Sequence, residues 1–251
     1  LFATGLVDLR AKIVIDVVPG NSARDLGSWL DRQPAPWLAD VRVVATDLAE
    51  SYRAGLDGRL DHAIRVADPF HVVRLANRCL DQVRRRVQNA TLGHRGRKRD
   101  PLYRIRKLML TGTERLEGPG LERMLLGLRA GDPDQEVLGA WLAKESVRDV
   151  YLAEDPADAA LLLDKTIEGC RSDSVPEIRS LGRTLARWRT EVLNHHTTGA
   201  SNGPTEGLNL LVKQGPFRFQ WGERVRMVGV GGRWAGQLTP PVWSRIHHYC
   251  R

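Results

Sequence analysis

The sequence predicts a mixed α/β fold interrupted by a long all-helical stretch. Two observations carry that expectation. Strand-like and helix-like segments alternate from Leu1 to about Val87, whereas only helical patterns run from Leu102 to about His195. A third observation concerns partners. Net charge is +8, and between Arg74 and Lys107 ten Arg and two Lys face only Asp81 and Asp100, a local balance of +10.

The first elements read as a hairpin. "FATGLVDL" and "AKIVIDVV" are rich in Val, Ile and Thr, a polar turn at Arg10 joins them, and Pro19-Gly20-Asn21 stops the second. "SARDLGSWLDRQ" follows as a helix, capped by Ser22, with Leu26, Trp29 and Leu30 on one face. Val41, Val43 and Val44 form a short buried strand ending at Asp47, and "LAESYRAGL" begins the next helix. "AIRVA" is another strand, Asp68-Pro69 marks its junction, and a long helix runs from about Phe70 past Val87. This alternation predicts a sheet with crossover helices.

After "TLGHRGRKRDP" the pattern is helical throughout. Asp132-Pro133 and Asp155-Pro156 suit helix starts with Pro in the first helical position. The organisation that follows is 1–95 as the first part of the sheet domain, 96–197 as a helical insertion, 198–214 as a helix carrying Glu206, and 215–251 as an irregular, non-native tail. That last stretch, including "MVGVGGRWAGQLTPPVW", has neither helical nor clean strand periodicity.

Composition is that of a globular protein, 42% hydrophobic and 27% charged over 251 residues. No apolar run approaches the ~20 residues that span a bilayer, so no membrane partner is expected. Cys79, Cys170 and Cys250 are far apart, odd in number and without zinc or disulfide spacing, which suits structural thiols in a reducing, cytoplasmic compartment. The chain begins at Leu1, mid-pattern, and reads as a piece of a longer protein. A charge excess this localised suits a polyanion, most simply nucleic acid, with a solvated basic helix face as the bland alternative.

Three acids stand where chemistry could sit. Asp47 lies at the carboxyl end of an apolar strand, where sites form in open α/β sheets, although an Asp there also caps helices. Asp68 ends the next strand and has the same capping alternative, and His71 follows it by one turn. Glu206 opens a helix in "SNGPTEGLNLLVK". The helix dipole favours a first-turn Glu, and Pro204 suits a first position. Neither explains Gly207, which costs about 1 kcal/mol relative to Ala inside a helix. A small residue beside a carboxylate leaves room for a bulky ligand such as a nucleic-acid backbone. Carboxylates from separate elements suit Mg²⁺, and paired ions serve phosphoryl transfer. "VGVGGRWAG" has no P-loop Lys and no following helix, so it is not read as a nucleotide loop.

Five motifs in this order, "VVATDLAESYRAGL", "HAIRVADPFHVVRLANRCLDQVRRR", "PLYRIRKLML", a long helical stretch and "SNGPTEGLNLLVK", resemble the ISL-three family of insertion-sequence transposases over about Leu1 to Lys213. The resemblance implies a ribonuclease-H-like mixed sheet of the DDE superfamily, interrupted by a helical insertion. It implies cutting and joining of insertion-sequence ends and target DNA with Mg²⁺ or Mn²⁺ held by two Asp and one Glu. Carried over, the family's second Asp matches Asp47 and its Glu matches Glu206, as catalytic metal ligands. Its D-x-F-H element matches Asp68, Phe70 and His71 as supporting structure, joined there by Gly207 and Asn209. Arg74, Arg78, Arg84, Arg85, Arg86, Arg95, Arg97 and Lys98 become candidate DNA contacts. The family's first Asp lies on a strand before the opening hairpin, so Asp8 is one strand late and is not assigned to the site. After Lys213 the sequence departs from the family pattern. The expectation is therefore an inactive fragment of a cytoplasmic, nucleoid-associated enzyme that is homo-oligomeric when intact. A non-catalytic basic DNA-binding remnant is the alternative, and a junction resolvase is disfavoured by the helical insertion.

Overall fold

The computed structural model describes residues 2–201 and the backbone of residues 224–232. The chain divides into two compact units, the described parts of Leu1–Phe70 with Thr190–Arg251, and His71–Arg189.

In the first unit the β-branched runs form the expected hairpin, β1 (Phe2–Asp8) and β2 (Ile13–Pro19), paired antiparallel. Asp8 makes the turn: its Oδ1 accepts from the amides of Arg10 and Ala11 at 2.8 and 2.9 Å. Ser22 caps α1 (Ala23–Leu30) in a reciprocal capping box with Asp25. A short α2 (Ala35–Asp40) leads into β3 (Val41–Thr46), α3 (Glu50–Leu56) and β4 (Ile64–Ala67). β3 and β4 are parallel, as their helical crossover requires.

The fifth strand corrects the sequence expectation of irregular chain beyond residue 215. β5 (Arg224–Gly232) is a strand, and it lies in the middle of the sheet, whose order is β2-β1-β5-β3-β4. It runs parallel to β1 and antiparallel to β3. The physical reason is long-range. Between β1 and β3 both rows of backbone donors and acceptors of β5 find partners, and this outweighs the low strand propensity of Gly229, Gly231 and Gly232. The rest of 202–251 lies outside the described residues.

The core of this unit joins the sheet to its helices. Leu6, Val41, Val44, Tyr52 and Leu60 are fully buried, with Leu26, Trp29, Leu30 and Leu56 packed around them. Each such aliphatic side chain contributes roughly 1.5–3 kcal/mol. Its polar atoms are satisfied: Trp29 Nε1 donates to Asp16 Oδ2 at 2.8 Å, and the Tyr52 and Thr4 hydroxyls meet at 3.1 Å. Gly55 lets α3 lie against α1, since a Cβ there would stand 3.0 Å from the Ala23 carbonyl oxygen.

The second unit is helical throughout: most of α4 (Pro69–Leu92), then α5 (Pro101–Leu110), a 3-10 turn (Thr113–Arg115), α6 (Pro119–Gly131), α7 (Glu136–Leu152), α8 (Pro156–Ser172) and α9 (Pro176–Arg187). Asp155 caps α8 as its Asp-Pro pair predicts, accepting from Ala157 N at 2.6 Å. Asp132-Pro133 departs from the pattern. α7 starts at Glu136, yet Asp132 Oδ2 still reaches Leu138 N at 2.9 Å. Burial pushes the thiols of Cys79 and Cys170 up to about 12 and about 11, which suits the structural role expected of them. Cys250 lies outside the described residues. Among the described residues no helix is long and apolar enough to cross a membrane.

One buried cation organises this unit. Lys144 has no exposed surface, and its Nζ donates to the Met109 and Thr111 carbonyl oxygens at 2.8 and 3.1 Å, closing the end of α5. Glu145 is its counter-ion and also accepts from Thr113 N at 3.1 Å. Burial opposes the Glu145 charge, but the Lys144 and Thr113 hydrogen bonds outweigh it and hold its pKa below the usual 4.5. Stability from this carboxylate is therefore present above about pH 4.5 and lost as pH falls through its folded pKa. Glu145→Ala should cost about 2 kcal/mol at neutral pH, less than the 3–5 of a fully isolated buried charge because two carbonyls still hold Lys144. Urea unfolding at pH 7 and pH 3 checks this: the wild-type advantage should shrink at the lower pH.

Candidate active site

β3 and β4 end side by side. Thr46 is in register with Ala67, so Asp47 and Asp68 stand at matching positions one residue beyond the parallel pair, about one strand spacing or 4.8 Å apart. Asp68 N donates to the Thr46 carbonyl oxygen at 3.1 Å, which holds the two strand ends together. Asp68 is buried and Asp47 half-buried. The N-cap of α3 is Ala49, with no side-chain hydrogen bond, so Asp47 is not the cap of the helix that follows it. Asp8 ends β1, which runs opposite to β3; it is level with Val44 and not with Asp47, two strands away across β5, and its carboxylate is used in the turn. His71 is half-buried in the first turn of α4.

Glu206, Gly207 and Asn209 lie outside the described residues. The segment that leads to them does not. α10 (Arg189–Thr198) brings the chain back to the sheet after the helical unit. Glu191, itself buried, receives Arg53 of α3, and Asn194 Nδ2 donates to the Arg65 carbonyl oxygen of β4 at 2.8 Å. Both contacts fall on the elements that flank Asp47. His195 and His196 are half-buried and meet edge to face at 5.5 Å. His195 Nδ1 also lies 2.8 Å from the Ala200 carbonyl oxygen, fixing the exit of the helix.

The basic candidates divide. Arg84 is turned inward, 5% exposed, against Asp81 at 2.6 Å and Gln88. Arg86 is held between Glu136 at 2.9 Å and Glu177 at 2.7 Å, and these hydrogen bonds raise its pKa further. Arg85 pairs with Asp81 at 2.7 Å yet stays 54% exposed. Arg74 and Arg78 are exposed on α4, and among the described residues no carboxylate pairs with either. Arg95, Arg97 and Lys98 are exposed on the loop between α4 and α5, which Asp100 orders by accepting from Arg97 N. Sequence reasoning missed the fastening of α10, because Glu191 and Asn194 carry no motif and their partners are more than a hundred residues away.

A transposase family model, that of the ISL3 DDE type, matches residues 2–215. The chain belongs to this transposase family. It is 26% identical over 229 residues to the transposase for insertion sequence element IS1557 of Mycobacterium tuberculosis, covering 84% of this chain and 51% of that protein. It is 22% identical over 217 residues to the transposase for insertion sequence element IS1001 of Bordetella parapertussis, covering 84% of this chain and 52% of that one. The chain thus spans about half the length of the curated relatives it matches. No solved structure matches. Within this transposase-family chain, the donors at the strand ends are hard carboxylate oxygens, the type Mg²⁺ and Mn²⁺ take. Among the described residues no three His, Cys, Asp or Glu side chains converge as a metal set.

Proposed function

We propose that this chain is the catalytic region of a DNA transposase, which cuts insertion-sequence ends and joins them to target DNA by phosphoryl transfer. The observation that carries the reading is the return of α10. After more than a hundred helical residues the chain is fastened by Glu191 and Asn194 to α3 and β4, the two elements that flank Asp47. Glu206 follows Asn194 by twelve residues, a span the chain can cross with ease. Asp47 and Glu206 then act as metal ligands, with Asp68 and His71 as support. A bound pair of Mg²⁺ or Mn²⁺ ions would activate the attacking hydroxyl and stabilise the leaving oxygen. A hairpin, a parallel strand pair and a crossover helix in one mixed sheet support a ribonuclease-H-like catalytic fold. The substrate is DNA, handled in the bacterial cytoplasm at the nucleoid, and the intact enzyme acts as a homo-oligomer.

Strand transfer by the full-length transposase tests this, with wild type set against Glu206→Gln in Mg²⁺ and in Mn²⁺. Loss of joined product in both metals is expected, and undiminished product in the variant would overturn the assignment. The unpaired arginines favour a second reading, a DNA-binding region without catalysis. Salt-dependent DNA binding by a wild-type protein that joins nothing would favour it.

A further inference from the structure

The helical unit contains a groove whose chemistry fits a phosphate backbone. On α4 the residues Arg74, Arg78, Gln82, Arg85 and Asn89 recur at spacings of four, four, three and four, and all five are exposed. Helical geometry places them on one stripe, with about 6 Å of rise between residues four apart. Beside this stripe, between α4 and α9, lies a cavity of about 210 Å³. Arg78 and Gln82 line it from α4, and Ser180 and Thr184 from α9, above a floor that includes Leu181. The acid in the groove is Glu177, and both of its oxygens are taken by Arg86 at 2.7 and 3.2 Å. Arg86 is shared with Glu136, so the trio keeps one net negative charge, and Arg78 stands beside it without a paired carboxylate among the described residues. One turn along α9 from Ser180, Arg183 is also exposed and, among the described residues, without a paired carboxylate.

We propose that this groove seats the phosphodiester backbone of duplex DNA, with Arg74, Arg78 and Arg183 on successive phosphates and Ser180 donating its hydroxyl. The proposal rests on the reading of the chain as a DNA transposase, and it adds where the duplex lies and how it is read. Neither the stripe nor the groove carries an aromatic side chain, so bases have nothing to stack on, as a single strand would need. Guanidinium groups spaced along a helix contact backbone phosphates and leave sequence unread. Arg84 and Arg86, the first and last of the Arg84-Arg85-Arg86 run, are spent on α4 itself and on tying α4 to α7 and α9, and do not touch the DNA.

Equilibrium binding of this chain to a random duplex across 50–200 mM salt tests the proposal. Each phosphate contact contributes about 0.9 to the slope of log affinity against log salt. Arg74→Gln/Arg78→Gln should lower that slope by about 2 and leave the thermal midpoint unchanged. The ratio of wild-type to variant affinity should then shift by on the order of tenfold across the salt range, equally for unrelated sequences. A wild-type slope in a folded double variant would overturn the groove while leaving the DNA reading intact. A wild type that binds no duplex at 50 mM salt would overturn both. Equal binding of an acidic peptide such as polyglutamate, with the same slope, would overturn the assignment to nucleic acid.

Discussion

Asp47→Asn in the full-length transposase should lower strand transfer at least a thousandfold and leave the fold intact. At about 1.4 kcal/mol per tenfold, that is roughly 4 kcal/mol of barrier, the scale of losing one charged ligand from a metal-assisted phosphoryl transfer. The fold should survive because the side chain has no helix to cap. α3 begins at Glu50 with Ala49 as its N-cap, and the local turn is closed through the Asp47 carbonyl oxygen, which accepts from Ala49 N at 2.7 Å. Asn keeps the shape and removes the charge. Asp8→Asn is the matched comparison. Asp8 is the more buried acid, 3% exposed, yet it ends a strand that runs the other way and spends its Oδ1 on two turn amides. That variant should lose about 1 kcal/mol of stability and keep its activity. Single-turnover joining rates and thermal midpoints measured together separate the two. An Asp47→Asn enzyme within threefold of wild type would refute the site, and so would an inactive but stable Asp8→Asn enzyme.

Those two aspartates show what in this molecule is readable locally. The position of Asp47 follows from a strand pattern and its end, and the turn at Asp8 from a polar break between two β-branched runs. The Ser22 cap and the Asp155-Pro156 helix start are equally local, since donor and acceptor are within a few residues of each other. Asp132-Pro133 carries the same dipeptide, but Asp132 bonds to Leu138 N across an extra turn, so the helix begins later than the pair alone implies. The partition of the arginines was readable and went unread. Ala76, Leu80, Val83 and Val87 set the buried face of α4, and helical phase places Arg84 beside that face and Arg85 away from it. A count of charges carries no phase. The site is legible in part for a related reason. Asp47 and Glu206 are marked by their neighbours, whereas the contacts that return α10 to the sheet join residues 53 and 191, and 65 and 194, which no local pattern relates.

The middle strand is the extreme case, and it carries the largest stability prediction. Val230→Pro should disrupt the sheet of the first unit, at a cost of about 5 kcal/mol. Val230 is in register with Asp8 of β1 on one side and Val44 of β3 on the other. Whichever neighbour its N–H serves, proline removes that bond, and its ring does not fit between two paired strands. The ring costs about 3 kcal/mol, by analogy with a helix interior, and each backbone group orphaned in a buried ladder adds about 1–3. β5 is also what joins the β1–β2 hairpin to the β3–β4 pair, since those two halves of the sheet do not pair directly. Losing it would open the inner edges of β1 and β3 to water, where Leu6, Val7, Val44 and Ala45 have no exposed surface. A loss of this size is a large share of the 5–15 kcal/mol that holds an ordinary domain together. Amide hydrogen exchange reads the outcome by element. Protection in β1 and β3 should collapse, and protection in α7 and α8 should fall far less, because those helices pack within the other unit. Unchanged protection of Leu6 and Val44 in the proline variant would show that β5 does not hold the sheet together, and the edge containing Asp47 would then need another support.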